Sequence, residues 1–230
     1  MTHPDNIFAE FIWNLGFAIC HQNPERSFFI GGYQLPVCAR DTGTLIGFFA
    51  VFTMGLLLKR YRNSGIPDKP VIALSLFGFV LFAVDGASSY LGFRETTNTI
   101  RLVTGLMMGA AIGFFAVLIV SFVLLGNRNS IPAFTWKDLP LAYLPLIAVG
   151  TCILYFDNVI FLYYAFSMLI VAGYFILTFV IFSALISLML DWNWRESKNR
   201  TRLISGAIVL QGIVIAAMWS LHAVTGGLPL

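Results

Sequence analysis

The stretch LVTGLMMGAAIGFFAVLIVSFVLLG, Leu102–Gly126, runs for 25 residues without a charged side chain. A helix of about 20 apolar residues spans the hydrocarbon of a bilayer, so this stretch reads as a transmembrane helix. Working outward, Gly43–Leu58, Pro70–Phe93, Leu139–Phe156, Val159–Leu190 and Leu203–Val224 repeat the pattern. Val159–Leu190 is overlong at 32 residues and is expected to tilt or protrude. The 230-residue chain is 58% hydrophobic and only 11% charged, with a mean hydropathy of +0.83. Water would not tolerate that much apolar surface on a domain of this size, whereas lipid would. The expected fold is all-α: a polytopic transmembrane helical bundle of six full spans plus a short N-terminal interfacial or half-inserted helix. It forms one integral membrane domain over residues 1–230, with residues 1–42 as amphipathic helix and outer motif loop and residues 43–230 as the bundle.

Charge sets an expected orientation. Lys59, Arg60, Arg62, Lys69, Arg128, Lys137, Arg195, Lys198, Arg200 and Arg202 fall in alternate loops and mark the cytoplasmic side. Arg26, Arg40, Arg94 and Arg101 fall on the other side, which places their loops outside the cell. The net charge of +3 is spread between helices and gives no reason to expect nucleic acid as a partner; the partner is the lipid bilayer. Met1 to Asn6 contain no Lys or Arg, so a cleaved secretory signal is not expected. Ile7–Cys20 is too short to span comfortably and carries a polar stripe of His3, Asn6, Glu10, Asn14 and His21 opposite Phe8, Ile12 and Ile19. It reads as an interfacial helix, a half-inserted helix lining a polar cavity, or a seventh span.

Four polar stretches interrupt this apolar chain: Cys20-His21-Gln22-Asn23-Pro24-Glu25-Arg26-Ser27-Phe28, then Cys38-Ala39-Arg40-Asp41-Thr42-Gly43, then Asp85-Gly86, and finally Arg94 through Asn98 and Arg101 to Thr104-Gly105. All four outer arginines lie within them. Such arginines oppose the positive-inside tendency, which argues for a job other than orientation. With Gly92, these residues resemble the signature of the domain of unknown function 2085 family of prokaryotic integral membrane proteins. The resemblance covers about the first half of the chain; after Gly126 the helices match only as hydrophobic spans. It implies a membrane protein and names no reaction.

The chemistry of the motifs therefore rests on the residues. Cys20 and Cys38 on an oxidising side could close a disulfide. Alternatively Cys20, His21 and Cys38, completed by Asp41, Asp85 or His222, could hold zinc or another divalent metal. Cys20 and His21 could share an ion only if the helix ends there, and Pro24 disfavours helix at Asn23. A reactive thiolate paired with His21 is the third reading. Asp85 lies inside a span, where an unpaired carboxylate costs several kcal/mol. It is expected either to pair with Arg101 or Arg94 or to act as an acid–base, proton-relay or metal-ligand carboxylate. Asn98, Arg101 and Gly105 share one helical face. Arg26, Arg40, Arg94 and Arg101, with Asn98, form the candidate substrate-binding set for a phosphate or carboxylate.

Other signals are structural. The series Gly105, Gly109, Gly113 and the pair Gly43, Gly47 permit close helix approach. Gln211 is expected to bond between helices, Cys152 to be inert packing, and Trp192, Trp194 and Arg195–Arg202 to anchor at the cytoplasmic interface. P-loop, dinucleotide, HExxH and GxSxG patterns are absent from the sequence. The leading expectation is an extracytoplasmic, membrane-embedded site in which Cys20, His21 and Asp85 do the chemistry on an anionic or lipid-linked substrate. The alternatives are a proton-coupled or ion transporter gated by an intramembrane Asp85–Arg101 pair, and a non-catalytic assembly subunit.

Overall fold

A computed structural model describes residues 3–190 and 197–224, apart from the side chains of 197, 222 and 223. Trp192, Trp194 and Arg195 lie outside the described residues, as does the side chain of His222. The described chain is an all-α bundle: α1 (Ile7–Ile19), α2 (Ala39–Leu57), α3 (Lys69–Tyr90), α4 (Asn98–Ile119), α5 (Asp138–Tyr155), α6 (Ile160–Leu190) and α7 (Ser197–Val224). A π-helical turn at Val120–Leu124 extends α4. Five of these helices, α3 to α7, are long and apolar enough to cross a membrane. Their large outward side chains, such as Leu76 and Phe79 on α3 or Ile208 and Val209 on α7, are exposed. That surface suits lipid, where backbone groups are satisfied within each helix.

The sixth expected span, α2, has 19 residues and carries Arg40 and Asp41 in its first turn. It is the central element, packed against α4, α5 and α6. Close approach to α4 explains the glycines. A Cβ on Gly105 would collide with the Arg40 carbonyl, one on Gly109 with that of Thr44, and one on Gly47 would sit 2.6 Å from that of Leu106. The backbones touch because these positions have no side chain. α6 joins the same core, with Gly173 against the Leu45 carbonyl.

The two ends of the bundle differ. At the basic end the α2–α3 and α4–α5 loops are tied together: Arg60 pairs with the buried Asp138 at 2.6 Å, and Asn127 and Asn129 donate to the Tyr61 and Arg62 carbonyls. At the motif end, α1 packs across α6 and α7, and Asn6 donates to the Tyr164 hydroxyl at 2.7 Å. At 13 residues α1 is too short to span. Ala9, Ile12, Gly16 and Ala18 face the bundle, while Glu10 and Asn14 of the polar stripe are exposed.

Between α1 and α2 lies an unexpected hairpin, β1 (Phe29–Ile30) and β2 (Tyr33–Gln34), with Ile30 opposite Tyr33. Its two-residue loop is Gly31-Gly32, both at positive φ, the conformation such turns require. A side chain on Gly31 would also strike the Ile160 backbone at the start of α6.

Candidate functional site

The motif loop is folded by its amides. α1 ends at Ile19, and Cys20 is already extended, so the helix stops where a shared role for Cys20 and His21 would need it to. Gln22 turns the chain with φ +52°, and its buried side chain donates to the Trp13 and Pro36 carbonyls at 2.8 and 3.0 Å. Gln34, also buried, donates back to the Gln22 carbonyl and to the Ser27 hydroxyl. Asn23 caps the short 3-10 turn Pro24–Arg26 by accepting from the Glu25 amide. Gly16 lets the Pro36 carbonyl lie against α1. This glutamine clasp brings the end of α1 to the start of α2, and with it Cys20 to Cys38.

One ligand atom each from Cys20, Cys38 and Asp41 lies within 4.8 Å of the others. Both cysteines are unbonded and half-buried. The Cys38 thiol donates to Asp41 Oδ2 at 3.1 Å, and Cys38 is the N-terminal boundary residue of α2. The neighbouring Cys38 side chain holds the pKa of Cys20 below the ordinary thiol value, although burial and the Asp41 charge push it up. Cys20 in turn raises the pKa of Cys38, and burial and the Asp41 carboxylate push it the same way. Cys20 is thus the first thiol of the pair to ionise. Two thiols and a carboxylate are a donor set for a borderline ion such as zinc, with three protein ligands and one position left over.

Behind this group sits Asp85, 2% exposed. Its Oδ2 accepts from Arg40 Nη2 at 2.5 Å, and its Oδ1 accepts from Arg94 Nη2 and Thr96 Oγ1, both at 2.6 Å. Arg40 also lies over the Phe82 ring. The expected partner Arg94 is present. Arg101 is not a partner; it donates instead to Asn98 Oδ1 at 2.9 Å. The reason is reach: the long side chain of Arg40, in the first turn of α2, extends to α3 beside Gly86, whose Cβ would lie 3.6 Å from its Nη1.

Arg101 faces a cavity of about 320 Å³. Its walls include Cys20, His21, Arg26, Cys38, Asp41 and Tyr90. The ion pairs among the described residues are Arg40–Asp85, Arg94–Asp85 and Arg60–Asp138, so Arg26 and Arg101 have no carboxylate partner among them. Arg26 and Arg40 both stand near enough to repel Arg101. Asn98 spends its amide on the Glu25 and Ser27 carbonyls at 3.1 and 3.2 Å and its oxygen on Arg101, which makes it a positioning residue. His21 lines the cavity and is exposed, but its nitrogens are outside the Cys20–Cys38–Asp41 group. Gln22 and Thr96 lie inside the quoted motifs but had no role assigned from sequence, and Gln34 was not singled out. Amide side chains in so apolar a chain were the available signal for Gln22 and Gln34.

Residues 20–115 match the family described as "Predicted membrane protein (DUF2085)". A protein of Methanothermobacter thermautotrophicus, described as an uncharacterized protein, is 33% identical over 109 residues, covering 46% of this chain and 91% of that protein. The chain belongs to this family. An uncharacterized protein of Methanocaldococcus jannaschii is 36% identical over 97 residues, 42% of this chain. There the match spans only 60% of the relative's length. No solved structure matches. The family segment runs from Cys20 into α4, which takes in the glutamine clasp, the Cys20–Cys38–Asp41 group, the Asp85 node and Arg101. It leaves out α5, α6 and α7.

Proposed function

We propose that the motif end is an extracytoplasmic, membrane-embedded metal site that acts on an anionic group. Cys20, Cys38 and Asp41 hold a divalent ion of the zinc kind, and the remaining coordination position faces the cavity. Arg26 and Arg101 bind the anion, because guanidinium forks match phosphate and carboxylate oxygens. Asp85 keeps Arg40 and Arg94 in place and takes no direct part. His21, on the cavity wall, supplies an imidazole for proton transfer at the site.

The observation that carries this reading is the placement of three metal-type ligand atoms, within 4.8 Å of one another, in the wall of a cavity that also presents two arginines with no carboxylate partner among the described residues. Sidedness rests on the distribution of Lys and Arg: the ten basic residues of the alternate loops oppose the four at the motif end. The test is metal analysis of the purified protein. The expected result is one zinc-type ion per chain, lost in Cys38→Ser and kept in Cys152→Ser. Metal-free protein, or protein with Cys20 and Cys38 joined as a disulfide, refutes the metal site.

A transporter draws less support. Asp85 is held by Arg40, Arg94 and Thr96 rather than by Arg101, and the α2–α4 seam toward the basic end is closed by glycine contacts and by buried Phe48, Val51 and Phe114. Proteoliposome flux that survives Cys20→Ser and Cys38→Ser but stops in Asp85→Asn would restore that reading.

A further inference from the structure

Toward the basic end of the bundle, an apolar groove of about 390 Å³ runs between α3, α4 and α6. Ser75, Ala111 and Ala116 line it and are buried. They are small, and leave room that larger side chains would fill. Leu76, Phe79, Phe115 and Ile181 also line it and are exposed, so the groove opens toward the surface that lipid covers.

Its depth matches one leaflet. On α3 the groove runs from Ile72 to Phe79, three to ten residues after Lys69, where the helix begins. At 1.5 Å per residue that is about 5 to 15 Å from the basic end. On α4 the wall ends at Ile119, where the π-helical turn takes over. Half of the roughly 30 Å of hydrocarbon in a bilayer is also about 15 Å. A hydrocarbon chain entering from the basic end would fill the groove and stop near the middle of the bilayer.

The basic end of the groove carries cations. Lys69 is exposed and precedes Leu76 by seven residues, so it points within roughly 20° of that rim residue. Phe122 is exposed and follows Phe115 by seven residues, two turns nearer the basic end. The Arg128 guanidinium lies over the Phe122 ring at 3.6 Å and donates to the Phe122 carbonyl at 2.7 Å, which holds it at the end of α4. Neither Lys69 nor Arg128 has a carboxylate partner among the ion pairs of the described residues. Asp68, next to Lys69, accepts from the Trp136 amide at 3.1 Å. Residues 57–69 and 125–138 together hold six basic and two acidic side chains, and one of the acids, Asp138, is paired with Arg60. α3 also brings its N-terminus to this surface, and aligned amides there favour an anion.

We infer that the groove seats one hydrocarbon chain of an anionic phospholipid from the leaflet at the basic end, with its phosphate held by Lys69 and Arg128. The site uses neither the thiol–carboxylate group nor the cavity arginines, so it stands or falls separately from the reading above. Charge fixes the head: two such cations favour a lipid of net negative charge over a zwitterionic one, which brings its own ammonium. Depth fixes the leaflet that supplies the tail.

The test uses the full chain in detergent, with native mass spectrometry as readout. The probes are dioleoyl phosphatidylglycerol, dioleoyl phosphatidylcholine and, as a head without a tail, glycerol 3-phosphate. Phosphatidylglycerol should bind about tenfold tighter than phosphatidylcholine, as two basic contacts at a membrane surface allow, and at least tenfold tighter than glycerol 3-phosphate. Lys69→Gln with Arg128→Gln should bring phosphatidylglycerol down to the level of phosphatidylcholine and leave the latter unchanged. Lys198→Gln with Arg200→Gln is the charge-matched control on α7, which packs on α6 and α1, and should change neither lipid. Phosphatidylglycerol with a diazirine at its chain end should label peptides containing Phe79 or Met108, at the inner end of the groove. Thermal melting confirms that each variant is folded. Equal binding of the two lipids overturns the inference, as does a control pair that lowers the preference as much as Lys69 and Arg128 do. Labelling that favours α5 or α7 over the groove overturns it as well.

Discussion

The segment from Cys20 to the middle of α4 and the segment from α5 to α7 are both helical and both apolar, yet they are held together differently. In the first, backbone meets backbone at Gly43, Gly47, Gly105 and Gly109, and charges are buried in a network around Asp85. In the second, Gln211 of α7 donates to the Thr178 hydroxyl at 2.8 Å and to the Phe175 carbonyl of α6. Gly212 has no atom within 4 Å of where its Cβ would be. The first segment is the one matched by the family. A tightly specified module carrying the site, leaning on a looser set of spans, accounts for both facts.

The largest expected effect tests the first half of that contrast. Asp85→Asn leaves Arg40 as a nearly buried cation without its counter-ion and should cost about 3 kcal/mol or more, read as a drop in the thermal midpoint in detergent. Gly105→Ala comes next, at about 1–3 kcal/mol, because the added methyl meets the Arg40 backbone and neither helix can yield locally. The matched control, Gly212→Ala in α7, should be neutral or slightly stabilising, since alanine is the better helix former and the site is open. Equal losses at both glycines would dissolve the contrast.

The thiol pair gives a pH-dependent prediction for the metal-free protein. The Cys38 side chain lowers the pKa of Cys20, so its alkylation should rise with pH at a lower midpoint than in Cys38→Ala, where that neighbour is gone. A profile unchanged by Cys38→Ala means that the two sulfurs do not interact. The smallest effect belongs to the second half. Gln211→Leu should cost about 0.6 kcal/mol, the usual worth of an interhelical hydrogen bond in lipid. A loss as large as that of Asp85→Asn would show α6–α7 to be equally specified.

Hydrophobic length made the spans legible in the sequence, and helix ends fell within a few residues of where charge and proline placed them. The glycine series read correctly as close packing, Gln211 as an interhelical bond, and Cys152 as a half-buried side chain packed on the core. Convergence of the motifs at one end was legible too, because alternate loops must return to the same surface. Partner choice was not. Asp85 is nine residues from Arg94 and sixteen from Arg101, spacings that allow either pairing, and only the folded bundle brings Arg40 to Asp85 as its second partner. The Phe29–Gln34 hairpin was hidden because two residues per strand give no alternation to read, although Gly31-Gly32 was a turn signal in plain view. His21 shows the same limit: sequence adjacency to Cys20 says nothing about where an imidazole on an extended segment points.

The most direct test of the account is the metal content of the purified protein measured together with the state of its thiols. One divalent ion per chain, with Cys20 and Cys38 protected from alkylation until a chelator is added, is the predicted result. A metal-free chain whose two cysteines alkylate freely, or resist because they are bonded to each other, would contradict it.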